Sequence, residues 1–197
     1  GVSMNKFYST FNYTDDMLGY FLDEYRKTEH GGKSLIIVTA DHGNGKEQIG
    51  QEGNTTVSTI NGNHIPLLIL FPTDYKISKK TINYLGGQQD IMPTVMDIMR
   101  INEDFPVFGK SLIRDYKYRY TKVGKGVNNW LLTSQKNFRI FPNRSLFDLN
   151  WKELEINEED RKWFDLSIEI DQIQQWIIRQ KNVNEVRTRL YHQGWSG

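Results

Sequence analysis

The chain has 197 residues, 38% of them hydrophobic and 25% charged, enough for one sizeable core with a smaller annex. Its 25 Lys and Arg against 24 Asp and Glu leave a net charge of +1 with no dense basic tract, which removes the electrostatic case for a nucleic-acid partner. The absence of cysteine excludes disulfides and thiolate metal sites, and no apolar run reaches the ~18 residues needed to cross a membrane.

In chain order, "YTDDMLGYFLDEYRKT" places Met17, Leu18, Phe21, Leu22 and Tyr25 on one helical stripe, with Thr14 or Asp15 as the cap and "HGGK" as the stop. "SLIIVTA" is a nearly uniform apolar run, the pattern of a strand covered on both faces. Residues 43–63 are rich in Gly and Asn with little periodicity, and a loop of that length inside a domain is usually functional or mobile. "HIPLLILFP" reads as a second buried strand. "GGQQDIMPTVMDIMRI" reads as a helix with Asp90 as its N-cap, Pro93 in the first turn, and Ile91, Val95 and Ile98 on one face. Helix, strand, loop, strand and helix make an α/β architecture, with a largely parallel sheet as the default.

The texture changes after "FGKSLIRD". Residues 116–149 hold short aromatic and β-branched segments between Gly, Asn and Pro, which predicts a small antiparallel sheet. Trp163, Leu166, Ile170, Ile173 and Ile177 then recur three and four apart, predicting a C-terminal amphipathic helix packed on a neighbour.

Ligands in α/β sheets gather at the carboxyl ends of strands, where Asp41 and His42 fall on this reading. A carboxylate and an imidazole on a glycine turn suit zinc or manganese. His64 opens the next strand, after a loop long enough to return it beside His42. The alternative is a solvated turn aspartate beside a satisfied histidine, and spacing does not choose between them. Asn44, Lys46 and Gln48 are loop candidates for contact with an anionic substrate. His30 reads as a helix-end cation, His192 as a residue of a frayed terminus, Gly86 and Gly87 as a tight turn, and Lys110 and Ser111 as structural.

"IIVTADHGNG" followed in order by "NHIPLLILFP", "GGQQDIMPTVMDIM" and "FGKSL" resembles the C-terminal portion of the sulfatase and phosphoglycerol-transferase (lipoteichoic acid synthase-like) branch of the alkaline phosphatase superfamily, over residues 8–150. The resemblance implies the C-terminal part of an α/β/α sandwich over residues 1–115, and a small antiparallel subdomain with a terminal helix over 116–197. It implies metal-dependent transfer or hydrolysis of phosphate or sulfate esters. Asp41 and His42 match the metal-binding pair, and His64 matches a histidine that binds a second metal or the transferring group. The implied cofactor is a divalent ion, Mn or Mg ahead of Ca or Zn. The implied location is the extracytoplasmic face of a membrane-anchored protein.

One departure is large. The family's nucleophile is a Thr, Ser or modified Cys far upstream, and nothing in residues 1–40 supplies it; Ser9, Thr10 and Thr14 stand where the family has none. The expectation is a fragment that provides metal ligands without a nucleophile, partnered by the missing N-terminal half of the catalytic domain or by itself. The alternative is a non-catalytic α/β binding or assembly module with a relic metal site. On either reading the isolated chain turns over no ester.

Overall fold

The computed structural model describes residues 2–43, 63–102, 108–124, 129–141 and 143–179, the side chains of 2–7 and 178 excepted. They divide into two compact units, one formed by the chain up to Gly43 with Ile65–Lys80, the other by the remainder.

In the first unit, helix α1 spans Val2–Arg26. It begins well before the expected cap, because "FYSTFNY" continues the aromatic spacing of the stripe. Thr14 is therefore interior, its hydroxyl donating to the Thr10 carbonyl at 2.9 Å instead of capping. Leu18, Leu22 and Tyr25 are half-buried, while Met17 and Phe21 stay exposed. The stop at "HGGK" holds. A Cβ on Gly31 would lie 2.2 Å from the Tyr25 carbonyl oxygen, so the chain folds back this tightly only with glycine there. The Tyr25 hydroxyl meets Ser34 Oγ at 2.8 Å, tying the helix end to the approach of the next strand.

Strand β1 (Ile36–Thr39) pairs with β2 (Leu67–Leu70), and the pair is antiparallel: Ile36 faces Leu70 and Thr39 faces Leu67. This overturns the parallel default for these two strands. A parallel pair needs a crossover, usually helical, and the Gly- and Asn-rich connection lacks a helical pattern. Two-faced burial fails as well. Ile36, Ile37 and Val38 are only half-buried, and Leu67 and Leu68 are 37% and 49% exposed.

In the second unit a 3₁₀ turn (Gln88–Asp90) leads into α2 (Ile91–Ile98). The helix stops at Arg100, which takes φ of 54°. Its N–H donates to the Asp97 carbonyl and that of Ile101 to Met96, a Schellman ending with arginine where glycine is usual. Five strands follow, β3 (Tyr120–Val123), β4 (Trp130–Thr133), β5 (Asn137–Arg139), β6 (Ser145–Phe147) and β7 (Glu153–Leu154), each antiparallel to the next. The antiparallel sheet expected from residues 116–149 is present.

Helix α3 (Glu158–Arg179) starts on a reciprocal cap. The Asn157 side chain accepts the Asp160 N–H at 2.9 Å, and the Asp160 carboxylate accepts the Asn157 N–H at 3.3 Å. Phe164 of α3 is fully buried with Leu131, Phe138, Ile140 and Leu146 of the meander, its ring edge-on to Phe138 at 5.2 Å. Burying such a ring contributes about 1.5–3 kcal/mol. The deepest positions of α3 are Phe164, Ser167 and Ile170; Trp163 and Leu166 sit at the margin.

Among the described residues no helix is long and apolar enough to cross a membrane. Asp15, Asp16, Asp23 and Glu24 interrupt α1, and acids and bases recur along α3. The membrane-anchored, extracytoplasmic placement implied by the resemblance is corrected accordingly: the described helices supply no such anchor.

Candidate functional site

Asp41 and His42 follow the carboxyl end of β1, in the first unit, where strand pairing stops and the backbone bends. The Asp41 carboxylate accepts the His42 N–H through Oδ1 at 2.9 Å, which leaves Oδ2 turned toward the imidazole. His42 Nδ1 lies 2.9 Å from the Gly43 carbonyl oxygen, so it carries the proton and donates. The other ring nitrogen, Nε2, lies 3.6 Å from Asp41 Oδ2. Both side chains are open to solvent, at 88% and 75% exposure.

Two donors at that separation can share one divalent ion, since metal–N and metal–O bonds of about 2.0–2.2 Å span a comparable distance. A ligating histidine that passes its other N–H to a carbonyl is the usual orienting arrangement. The donor set thus fits a borderline or hard divalent cation, but it is short. Among the described residues no group of three or more His, Asp or Glu side chains gathers to hold a metal. His64 is exposed and falls in the second unit, three residues before β2. Asn44, Lys46, Gln48 and His192 lie outside the described residues.

A second polar centre was read from sequence only as a helix cap. Asp90 occupies the N-cap position of α2 and is 3% exposed, yet its side chain caps nothing in that helix. Oδ2 accepts the Gly87 N–H at 2.9 Å and Oδ1 the Lys110 N–H at 2.7 Å. Burial raises the Asp90 pKa, against the opposing pull of those two N–H groups and of the Arg119 and Lys110 charges. Around it, the Thr94 hydroxyl accepts the Leu112 N–H, Gln89 Nε2 reaches the Tyr120 carbonyl, and the Tyr120 hydroxyl donates to the Phe108 carbonyl.

Arg119 is 4% exposed, stacked on Tyr84 with its guanidinium 4.2 Å from the ring centroid, and donates to the Ser111 and Arg114 carbonyls. This cluster is architecture: it clamps "GGQQD", "FGKSL" and the start of β3 together. Lys110 and Ser111 are structural, as expected. The sequence carried one clue to it, the recurrence of Gly before polar residues in both segments.

A protein-family model described as Sulfatase matches residues 2–101. The chain belongs to the sulfatase family. Asp41, His42 and His64 all lie within the matched residues. Among curated proteins it is 31% identical over 94 residues to the 2,3-bisphosphoglycerate-independent phosphoglycerate mutase of Pyropia yezoensis, covering 46% of this chain and 17% of the mutase. The corresponding mutase of Trichormus variabilis is 31% identical over 123 residues, covering 58% and 22%. The lipoteichoic acid synthase LtaP from Listeria monocytogenes superposes with a TM-score of 0.68 at 20% identity, covering 86% of this chain and 45% of that one. At that identity the likeness is one of fold. The matches span less than a quarter of these curated relatives and under half of the solved synthase.

Proposed function

We propose that this sulfatase-family chain is a non-catalytic α/β assembly module carrying half of a metal site. The observation that supports this best is the Asp41–His42 pair itself: two oriented donors 3.6 Å apart, both exposed, with no third acid or histidine gathered beside them among the described residues. Two protein ligands hold a divalent ion weakly, so a working centre needs groups brought by another polypeptide segment. Asp41 Oδ2 and His42 Nε2 would hold the ion, and the imidazole nitrogen favours manganese over the oxygen-seeking magnesium. Such an ion supplies charge stabilisation to an ester oxygen and to the attacking group.

A second reading, a piece of a catalytic centre that works when completed, is favoured by the relatives. The mutases are named for phosphoglycerate, which points to a phosphate ester ahead of a sulfate ester as substrate. On this reading Asp41 and His42 would hold the ion, as the resemblance implies. The chain spans less than half of the solved synthase it superposes on, and the remaining part of such a sandwich would complete the centre.

The experiment is turnover of aryl phosphate and aryl sulfate esters by the pure 197-residue chain with millimolar Mn²⁺ or Mg²⁺. No turnover above the metal-only blank is expected. Metal-dependent turnover abolished by Asp41→Ala would overturn the module reading.

A further inference from the structure

Helix α2 buries one side and turns an unusual one to solvent. Thr94 and Ile98 are buried, with Ile91 and Val95 half-buried beside them. On the opposite side stand Met92, Met96 and Met99, four and three residues apart and therefore in one row. Met99 closes the helix with φ of −79° and ψ of −3°, still in the helical region, so it continues the row. Met92 is 53% exposed and Met99 54%, with Met96 half-buried between them.

The solvent side of a surface helix normally carries polar or charged residues. Here it carries three of the chain's five methionines. In a chain without cysteine, these thioethers are the soft donors. The one acid of α2, Asp97, lies off the row and is occupied: its Oδ2 accepts the Ser111 hydroxyl and Arg114 Nε, both at 2.7 Å. Arg100, with φ of 54°, turns the chain off the helix just after Met99. Met92 and Met99 are about 10 Å apart along the axis, with Met96 between them. Unbranched side chains with three rotatable bonds can lean half that distance toward a shared ion.

We propose that Met92, Met96 and Met99 form a three-thioether site for a soft monovalent cation, copper(I), with the three Sδ atoms as its ligands. Thioether sulfur selects copper(I) over hard divalent ions, which take oxygen donors. Leucine would give the same apolar face without that lone pair. The site differs in kind from the Asp41–His42 corner, whose oxygen and nitrogen donors suit manganese, and it belongs to the other compact unit. It rests on neither reading of that corner.

The test is a titration of the full chain, labelled with ¹³C at the methionine methyl groups, with silver(I) as a redox-inert stand-in and then with copper(I) under anaerobic ascorbate. It is run at about pH 5, where protonated histidines do not compete. The methyl resonances of Met92, Met96 and Met99 are expected to shift together and saturate at one ion per chain. Met17, 42% exposed on α1 and outside the row, shifts only at higher ion concentration. Met96→Leu keeps bulk and apolarity but removes the central donor. It weakens binding at least about tenfold, the loss that even an outer partner of a metal ligand causes. The exchange conserves volume, and unchanged far-ultraviolet circular dichroism checks the fold. No shift, Met17 moving in step with the row, separate saturation of the three, or binding indifferent to Met96→Leu overturns the proposal. Ester turnover by the chain alone would overturn the module reading and leave this one standing.

Discussion

The Asp90 carboxylate accepts the Lys110 backbone N–H at 2.7 Å, across twenty residues of chain, from a position where only 3% of Asp90 is exposed. Its other oxygen takes the Gly87 N–H. The close approach this requires is visible at Gly109, where a Cβ would stand 2.0 Å from the Gln89 carbonyl oxygen. One carboxylate thereby joins the turn before α2 to the segment leading into the meander.

Replacing Asp90 by Asn leaves one oxygen for two N–H groups and turns an amide N–H₂ toward the other. The expected loss is about 1–3 kcal/mol, read as a lower urea midpoint. The pH dependence has a definite sign. Burial raises the folded-state pKa of Asp90, so its contribution is full below the unfolded carboxylate pKa and declines as pH rises through the folded value. The Asn variant lacks this titration, so its deficit narrows as pH is raised through that window. A deficit that widens there contradicts the assignment.

Arg100 and Trp151 both take positive φ, at 54° and 66°, but for different reasons. Arg100 is an exposed helix-ending residue whose side chain is not needed for the turn, so Arg100→Gly relieves αL strain and stabilises by about 0.5 kcal/mol. Trp151 is held by packing, edge-on to Trp130 with ring centroids 5.8 Å apart and 6.3 Å from Phe147. Trp151→Gly relieves the same strain and still loses about 1–2 kcal/mol, because the half-buried indole goes. Urea midpoints moving in opposite directions are the expected result.

Gly31→Ala places a methyl group 2.2 Å from the fixed Tyr25 carbonyl oxygen. The turn must open to admit it, at a cost of about 1–3 kcal/mol. Hydrogen exchange should show lost protection around residues 25–39, with the meander unchanged. Uniform loss across both units would show that the turn is not the local fastening described.

The metal corner has its own readout. Titration with Mn²⁺ should broaden the His42 ring resonances well before those of His30, and Asp41→Ala should remove that selectivity. Equal broadening of both histidines would leave Asp41 and His42 as a solvated turn.

What the sequence determined by itself is local. Apolar spacing placed α1 through Tyr25, the two strands, α2 with Pro93 in its first turn, and the presence of α3, though its deepest positions are Phe164, Ser167 and Ile170. Alternating aromatic and β-branched residues between turn formers specified the meander, since neighbouring strands joined by short turns have few ways to pair. The order of "IIVTADHGNG", "NHIPLLILFP", "GGQQDIMPTVMDIM" and "FGKSL" carried the resemblance, and the family model matches the first three of these segments.

The tertiary structure decided what depends on partners distant in sequence. The direction of β1 against β2, the outward turn of Met17 and Phe21, and the start of α1 before Thr14 all depend on which surfaces have neighbours. A uniform apolar run such as "LIIV" records a tendency to be covered, and carries no statement of what covers it. Asp90 shows the same limit. Its type and position spell a helix cap, but burial beside Gly87 and Lys110 made its side chain a clamp, because a polar group removed from water must find hydrogen-bond partners in the protein.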